Sequence, residues 1–206
     1  MNNANEKKGL LIVLSGPAGS GKGTVLSYLL KDQHYRCSVS ATTRQPRPGE
    51  VDGVNYHFLT RDAFLERIAR DEMLEYAEYC GNYYGTPKKE AEEMLAAGYN
   101  LILEIEVEGA ANIKRKFPDA VTIMLLPPSG KVLEDRLRGR KTESEEVIQE
   151  RMARARKEVA QVDSYDYVVY NYDGMASEAA DIIRLIVQAE QYSTAHNLHI
   201  ATSYFD

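Results

Sequence analysis

The aliphatic run Leu10-Leu11-Ile12-Val13-Leu14 stops at Ser15 and gives way at once to Gly16-Pro17-Ala18-Gly19-Ser20-Gly21-Lys22-Gly23-Thr24. Residues 9–15 read as a strand covered on both faces. Glycines in the loop let the backbone turn so that successive N–H groups face a phosphate. The apolar spacing after the loop (Val25-Leu26, Leu29-Leu30) predicts a helix, whose positive end points back at the same place. Lys22 can reach the outer phosphates of a nucleoside triphosphate, and a hydroxyl just after it can help to hold Mg²⁺. One position departs from that pattern: Gly23 stands where Ser or Thr normally follows the lysine, and Thr24 comes one residue later. Either Thr24 takes over the hydroxyl role, or Mg²⁺ is held mainly by phosphates, water and an acidic side chain.

A strand–loop–helix start commits the chain to an α/β core, and the remaining pattern agrees. Residues 101–107, 121–126 and 167–170 read as further strands, the first carrying Glu104 and Glu106. Helical spacing covers 22–31, 61–70, 88–97, 129–138, 143–159 and 176–192. Buried strands alternating with helices predict a mostly parallel sheet wrapped by helices. Two stretches break the alternation. Residues 36–86, rich in Thr, Tyr, Gly and Pro, read as short strands and turns, and residues 129–160 as charged helices. Thr142 and Glu145 have the spacing of a capping box, which places a helix start after Gly139. At 206 residues the chain suits one domain, so both stretches read as insertions on one core.

The formal net charge of −6 argues against a protein that coats nucleic acid, for which a basic balance is the usual footprint. Local charge runs the other way: from Gln33 to Gly49 no acidic residue occurs, while Arg36, Arg44 and Arg47 do. Arginines bond phosphate in bidentate fashion, and neighbouring hydroxyls can complete its shell. Cys37 and Cys80 form no disulfide framework and no C-x-x-C pair, so both read as reduced thiols. No apolar run approaches the roughly 18 residues that span a bilayer. The apolar run after Met1–Lys8 also falls short of the about 7–15 residues of a secretory signal. The expectation is a soluble, cytoplasmic protein with no membrane partner.

Four segments then narrow the chemistry: the phosphate loop, Thr42-Thr43-Arg44-Gln45-Pro46-Arg47-Pro48-Gly49-Glu50, Gly81-Asn82-Tyr83-Tyr84-Gly85-Thr86, and Leu103-Glu104-Ile105-Glu106-Val107-Glu108-Gly109-Ala110. In order and approximate spacing these resemble the guanylate kinases, enzymes that move the terminal phosphoryl group of ATP onto GMP. The resemblance runs from Gly9 to about Gln188. It implies a phosphate-loop core (9–35, 97–128, 165–190), a small α+β GMP-binding insertion (36–96) and a helical lid (129–164), with 1–8 and 191–206 as extensions. By the same resemblance, residues 16–24 bind ATP. Ser40, Arg44, Arg47 and Tyr56 hold the GMP phosphate, and Tyr84 adds a hydroxyl. Glu75 and Thr86 read the guanine, and Glu104 lies beside the substrate. Lys22, Arg44, Arg140 and Arg151 serve transfer, while Thr24 and Glu106 serve Mg²⁺, directly or through water.

The residue types suit these roles. A carboxylate at Glu75 can accept from guanine's ring N–H and exocyclic amine together, a pair that adenine lacks, for a discrimination of about 1–3 kcal/mol. Other readings stay open. Glu104 and Glu106 alternate with Leu103, Ile105 and Val107, which equally fits the outer face of a strand. The arginines of 129–160 lie among many acids, so only the resemblance singles out Arg140 and Arg151. The G-K-G-T spelling also occurs in adenylate kinases, which keeps another monophosphate kinase as an alternative, and a kinase-like interaction module without catalysis is a second. Oligomeric state is not legible in the sequence.

Overall fold

The structure, a computed structural model, describes residues 8–139, 144–198 and 200–203. Its elements run β1 (Leu11–Ser15), α1 (Lys22–Leu29), β2 (Tyr35–Cys37), β3 (Ala41–Thr42), β4 (His57–Phe58), α2 (Arg61–Ala69), β5 (Met73–Tyr79), β6 (Asn82–Pro87) and α3 (Lys88–Ala96). They continue with β7 (Asn100–Glu104), α4 (Val107–Lys116), β8 (Val121–Leu126), α5 (Gly130–Gly139), α6 (Glu145–Val159), β9 (Tyr167–Tyr170), α7 (Ala176–Glu190) and α8 (Ile200–Ser203).

The main sheet has the order β2-β7-β1-β8-β9, with every pairing parallel. β1 is central and wholly buried, so its residues divide between two cores by the period-two alternation of a strand. Ile12 and Leu14 pack with Val25 and Leu29 of α1 and Ile183 and Val187 of α7. Leu11 and Val13 pack the other way, with Ala91 and Leu95 of α3, Ala110 and Ile113 of α4, and Leu74 of β5. Each fully buried aliphatic side chain contributes about 1.5–3 kcal/mol, and three layers result.

A second sheet, β4-β3-β6-β5, stands beside the first. Its own small core holds Ala41, Phe64 and Met73, with the Phe64 ring stacked on Tyr83 at 5.4 Å. The β5–β6 pairing carries a bulge: Met73 faces Pro87 and Glu75 faces Thr86, so Leu74 is the extra residue. That one insertion lets Leu74 enter the core of the main sheet while Glu75 is also turned inward. The Leu74 carbonyl, displaced from the ladder, accepts from Lys116 Nζ at 3.2 Å. At the far end Cys80 and Gly81 close the hairpin with φ of 48° and 74°, the handedness that matches strand twist. α5 and α6 form a separate helical pair through Leu133, Leu137, Ile148, Met152 and Ala155.

Three expectations change. The strand placed at 101–107 ends at Glu104, and residues 107–116 form α4, a helix that the alternating glutamates concealed. Glu106 is therefore the residue that precedes a helix rather than a strand residue. A fifth parallel strand, β2, joins the main sheet at its edge by pairing Tyr35 with Asn100. α6 begins at Glu145 after Ser144, whose side chain makes no cap bond, and Thr142 lies outside the described residues.

Phe64→Ala should destabilise the small sheet by about 3–5 kcal/mol, the usual cost of emptying a closed aromatic site. Hydrogen exchange resolved by segment is the check: residues 41–87 should lose protection while β1, β7 and β8 keep theirs.

Candidate active site

β1, β7 and β8 all end toward one edge of the main sheet, the edge at which open parallel sheets bind ligands. The phosphate loop leaves β1 there. Gly16 has φ of +145°, and a Cβ on it would lie 2.2 Å from the Leu125 carbonyl oxygen, so no side chain fits. The loop closes on itself through Ser20 N–H donating to Pro17 O at 3.1 Å. From outside, Asn171 Nδ2 donates to Ser20 O at 2.8 Å and Arg136 Nη1 does so at 3.2 Å. Arg136 is itself held by the Asn171 carbonyl (2.7 Å) and by Asp173 (2.7 Å). Sequence reading missed both supports, since nothing near Arg136 or Asn171 points to residues over a hundred positions away.

Lys22 opens α1 and folds back over the loop, donating to Gly16 O at 2.6 Å. The N–H groups of this first turn have no preceding helical carbonyl to bond. The Ser15 and Ser20 side chains are wholly buried beside the loop. Thr24 is exposed on the same turn, and a Cβ at Gly23 would meet nothing within 4 Å. Packing thus does not require glycine at that departure from the usual pattern.

Across the cleft, Arg44 follows β3. The sequence offered it as a cation free of carboxylates, but Glu50 folds back onto it, accepting from Nη1 at 3.0 Å and Nη2 at 2.9 Å. Glu50 also accepts from the Arg47 backbone N–H at 2.7 Å, so one carboxylate organises the whole arginine turn. Thr42 and Thr43 fasten this turn to β6: Thr42 Oγ1 donates to Tyr83 O at 3.0 Å, and Thr43 Oγ1 accepts from Tyr83 N–H at 2.9 Å. The Arg44 guanidinium lies 5.4 Å from the Tyr56 ring, and Tyr56 meets Tyr84 edge-on at 6.1 Å. Burial pushes the Tyr56 hydroxyl above its ordinary range, and the charges of Tyr84 and Glu104 add to the effect. Ser40 is half-buried just before β3, and Arg47 is exposed.

Glu75 is 2% exposed and directly opposite Thr86, which is wholly buried. Thr86 Oγ1 donates to Glu75 Oε1 at 3.0 Å. Gly109 of α4 approaches so closely that a Cβ on it would lie 3.2 Å from Glu75 Oε2. Burial pushes the Glu75 carboxyl up to about 7, against the pull of the Thr86 bonds and the Lys116 charge.

Glu106 lies just before α4. Its carboxyl is raised, first by the protein atoms crowded around it, and Glu158 and Glu104 push the same way. Lys22 and Arg154 pull it down. The residue as a whole is exposed, so those neighbouring charges locate it better than burial does. Arg151 lies on α6, and Arg140 is outside the described residues. Among the described residues no group of three or more His, Cys, Asp or Glu side chains could hold a metal alone. The donors present, one hydroxyl and one or two carboxylates, fit an Mg²⁺ that keeps water and phosphate ligands. A cavity of about 380 Å³, lined by His34, Tyr35, Asn100 and Arg184, opens where β2 and β7 begin, away from the loop.

The pKa of Glu75 has a consequence for stability. A carboxyl raised from 4.5 to about 7 in the folded protein stabilises it fully below pH 4.5, and that contribution is lost as pH rises through 7. The loss is roughly 3 kcal/mol. Urea unfolding of the ligand-free protein should show wild type losing that much relative to Glu75→Gln between pH 4.5 and 8. Parallel curves for the two would contradict a buried neutral acid.

Comparison with known proteins places this arrangement. A family model described as guanylate kinase matches residues 8–189. A guanylate kinase of Halalkalibacterium halodurans is 54% identical over 186 residues, 90% of either chain. One of Desulfitobacterium hafniense is 50% identical over 187 residues, 90% of this chain and 92% of its own. The crystal structure of guanylate kinase from Anaplasma phagocytophilum superposes with a TM-score of 0.75 at 32% identity, covering 96% of each chain. The chain belongs to the guanylate kinase family.

Proposed function

We propose that the protein transfers the γ-phosphoryl group of ATP to GMP, giving ADP and GDP, and accepts dGMP as well. Family membership supports the reaction. The observation that carries the choice of base is Glu75, buried opposite Thr86 at the wall of the cleft. Ionised, it accepts from the guanine ring N–H and exocyclic amine, while the Thr86 hydroxyl turns from Glu75 to donate to the guanine carbonyl. Adenine has no ring N–H beside an exocyclic amine on that edge, so it would not supply the pair of donors that repays ionising Glu75. Because the carboxyl of Glu75 titrates near 7, ionising it to meet guanine costs little at neutral pH.

In this reading residues 16–24 cradle the ATP phosphates, and Lys22 exchanges the Gly16 carbonyl for a phosphate oxygen. Arg44, Arg47, Ser40, Tyr56 and Tyr84 hold the GMP phosphate, with Arg44 already oriented by Glu50. The acceptor is an anion, so no strong base is required, and catalysis is alignment plus neutralisation of charge. Lys22, Arg44, Arg151 and Arg140 supply that charge from the chain. Thr24 and Glu106, the latter through water, would hold Mg²⁺, which when bound neutralises the β- and γ-phosphate oxygens. Glu104 faces the substrate beside Tyr56. Residues 36–96 form the GMP-binding part and 129–164 a lid whose closure excludes water, the competing acceptor. ATP and GMP are small-molecule partners. The acidic charge speaks against nucleic acid, and no described helix is long and apolar enough to cross a membrane. We place the enzyme in the cytoplasm.

A coupled assay offering GMP, AMP, UMP and dTMP in turn should show turnover with GMP at least about tenfold above the others. A preference for AMP would defeat the role given to Glu75. Lys22→Ala should lower transfer by about 10²–10³-fold, the scale of removing one fixed charge-stabilising donor, while GMP binding by calorimetry stays close to wild type. Full-rate transfer by that variant would defeat the loop assignment.

A further inference from the structure

Helix α6 belongs to the charged stretch in which arginines are by default solvated. Arg154 is different. Its guanidinium carbon lies 3.8 Å over the centre of the Tyr79 ring, and its Nε donates to Glu158 Oε1 at 2.8 Å. Glu158 is a buried carboxylate on the same helix, so the guanidinium is held in one plane by the acid and presses its flat face on the ring. Tyr79 is the last residue of β5, in the second sheet. Its ring meets Tyr84 edge-on at 6.1 Å, Tyr84 meets Tyr56 in the same way at 6.1 Å, and Tyr56 lies 5.4 Å from the Arg44 guanidinium. A continuous line of ring contacts therefore joins α6 to the phosphate clamp.

We propose that Arg154 is a positioning residue: stacked on Tyr79, it fixes α6 against the monophosphate side of the cleft and, through Tyr84 and Tyr56, sets the orientation of the Arg44 clamp. This rests on the reading of the cleft as a GMP kinase site. Lysine cannot replace it, because an ammonium presents no flat face to stack while bonding Glu158 in its plane. Removing the charge altogether would leave Glu158 buried and unpaired, which costs stability for an unrelated reason. The ring side of the contact is therefore the cleaner place to cut.

The test compares full-length wild type, Tyr79→Leu, Tyr79→Phe, Arg154→Lys and the double variant Arg154→Lys/Tyr79→Leu in steady-state GMP phosphorylation. Tyr79→Leu should raise KM for GMP about three- to tenfold, the scale of one partly desolvated cation–π contact, with KM for ATP unchanged. Tyr79→Phe, which keeps the ring, should restore KM for GMP. Arg154→Lys should match Tyr79→Leu, and the double variant should be no worse than either single one, because both cut the same link. A variant that merely folds less well loses kcat through its active fraction and keeps its KM. An unchanged KM in Tyr79→Leu, or effects of the two single variants that multiply in the double, would overturn the inference. Wild type that fails to phosphorylate GMP would instead overturn the proposed function.

Discussion

The structure depends most on a carboxylate kept out of water and bonded to a hydroxyl rather than to a cation. Glu75 has Thr86 as its side-chain partner and the backbone of a glycine against its second oxygen. Leaving it ionised and unpaired there would cost several kcal/mol, so in the empty protein it is poised to hold a proton. Much of the local architecture serves that placement. The bulge at Leu74 turns two successive residues inward, Lys116 satisfies the displaced carbonyl, and α4 brings Gly109 close. The same bulge sends Leu74 into the core of the main sheet, where it packs with Leu11 and Val13 of the strand that leads into the phosphate loop.

The cations of the cleft show a matching economy. Lys22 rests on the carbonyl of Gly16, and Arg44 is forked onto Glu50. Each rests on an oxygen acceptor of the protein, and in the proposed reading a nucleotide phosphate oxygen takes that acceptor's place. Neither charge is therefore left bare, and the proposed phosphate would replace an acceptor instead of rescuing an orphan. Arg44 is also oriented in advance, which lowers the ordering cost of binding. Arg154 too is held by a carboxylate, Glu158 of its own helix, while its flat face rests on Tyr79.

The phosphate loop was legible because glycine, lysine and hydroxyl at fixed spacing after an aliphatic strand have few other uses. The parallel core was legible from its buried strands. What was hidden has identifiable causes. Glutamates 104 and 106 keep a period of two across a strand end, so α4 was absorbed into β7; only the later spacing of Val107, Ala110 and Ile113 marks a helix. Glu50 looked like the boundary of a basic window, since sequence separation does not reveal that a turn closes on Arg44. Arg154 could not be told from its charged neighbours, because its distinction is a ring 75 residues earlier in the chain.

In the proposed function guanine is read by Glu75, an acid that burial keeps protonated in the empty protein below about pH 7. The decisive measurement is calorimetry of GMP binding across pH 5.5–8 in buffers of different ionisation enthalpy. Because phosphate titrates near pH 6 on its own account, Glu75→Gln serves as the reference. Wild type should release close to one more proton than the variant when it binds at the acid end, and its affinity should rise more steeply toward pH 7. Equal proton release and parallel affinity curves would mean that the Glu75 carboxyl does not ionise to meet the base, and recognition of guanine by this acid would be contradicted.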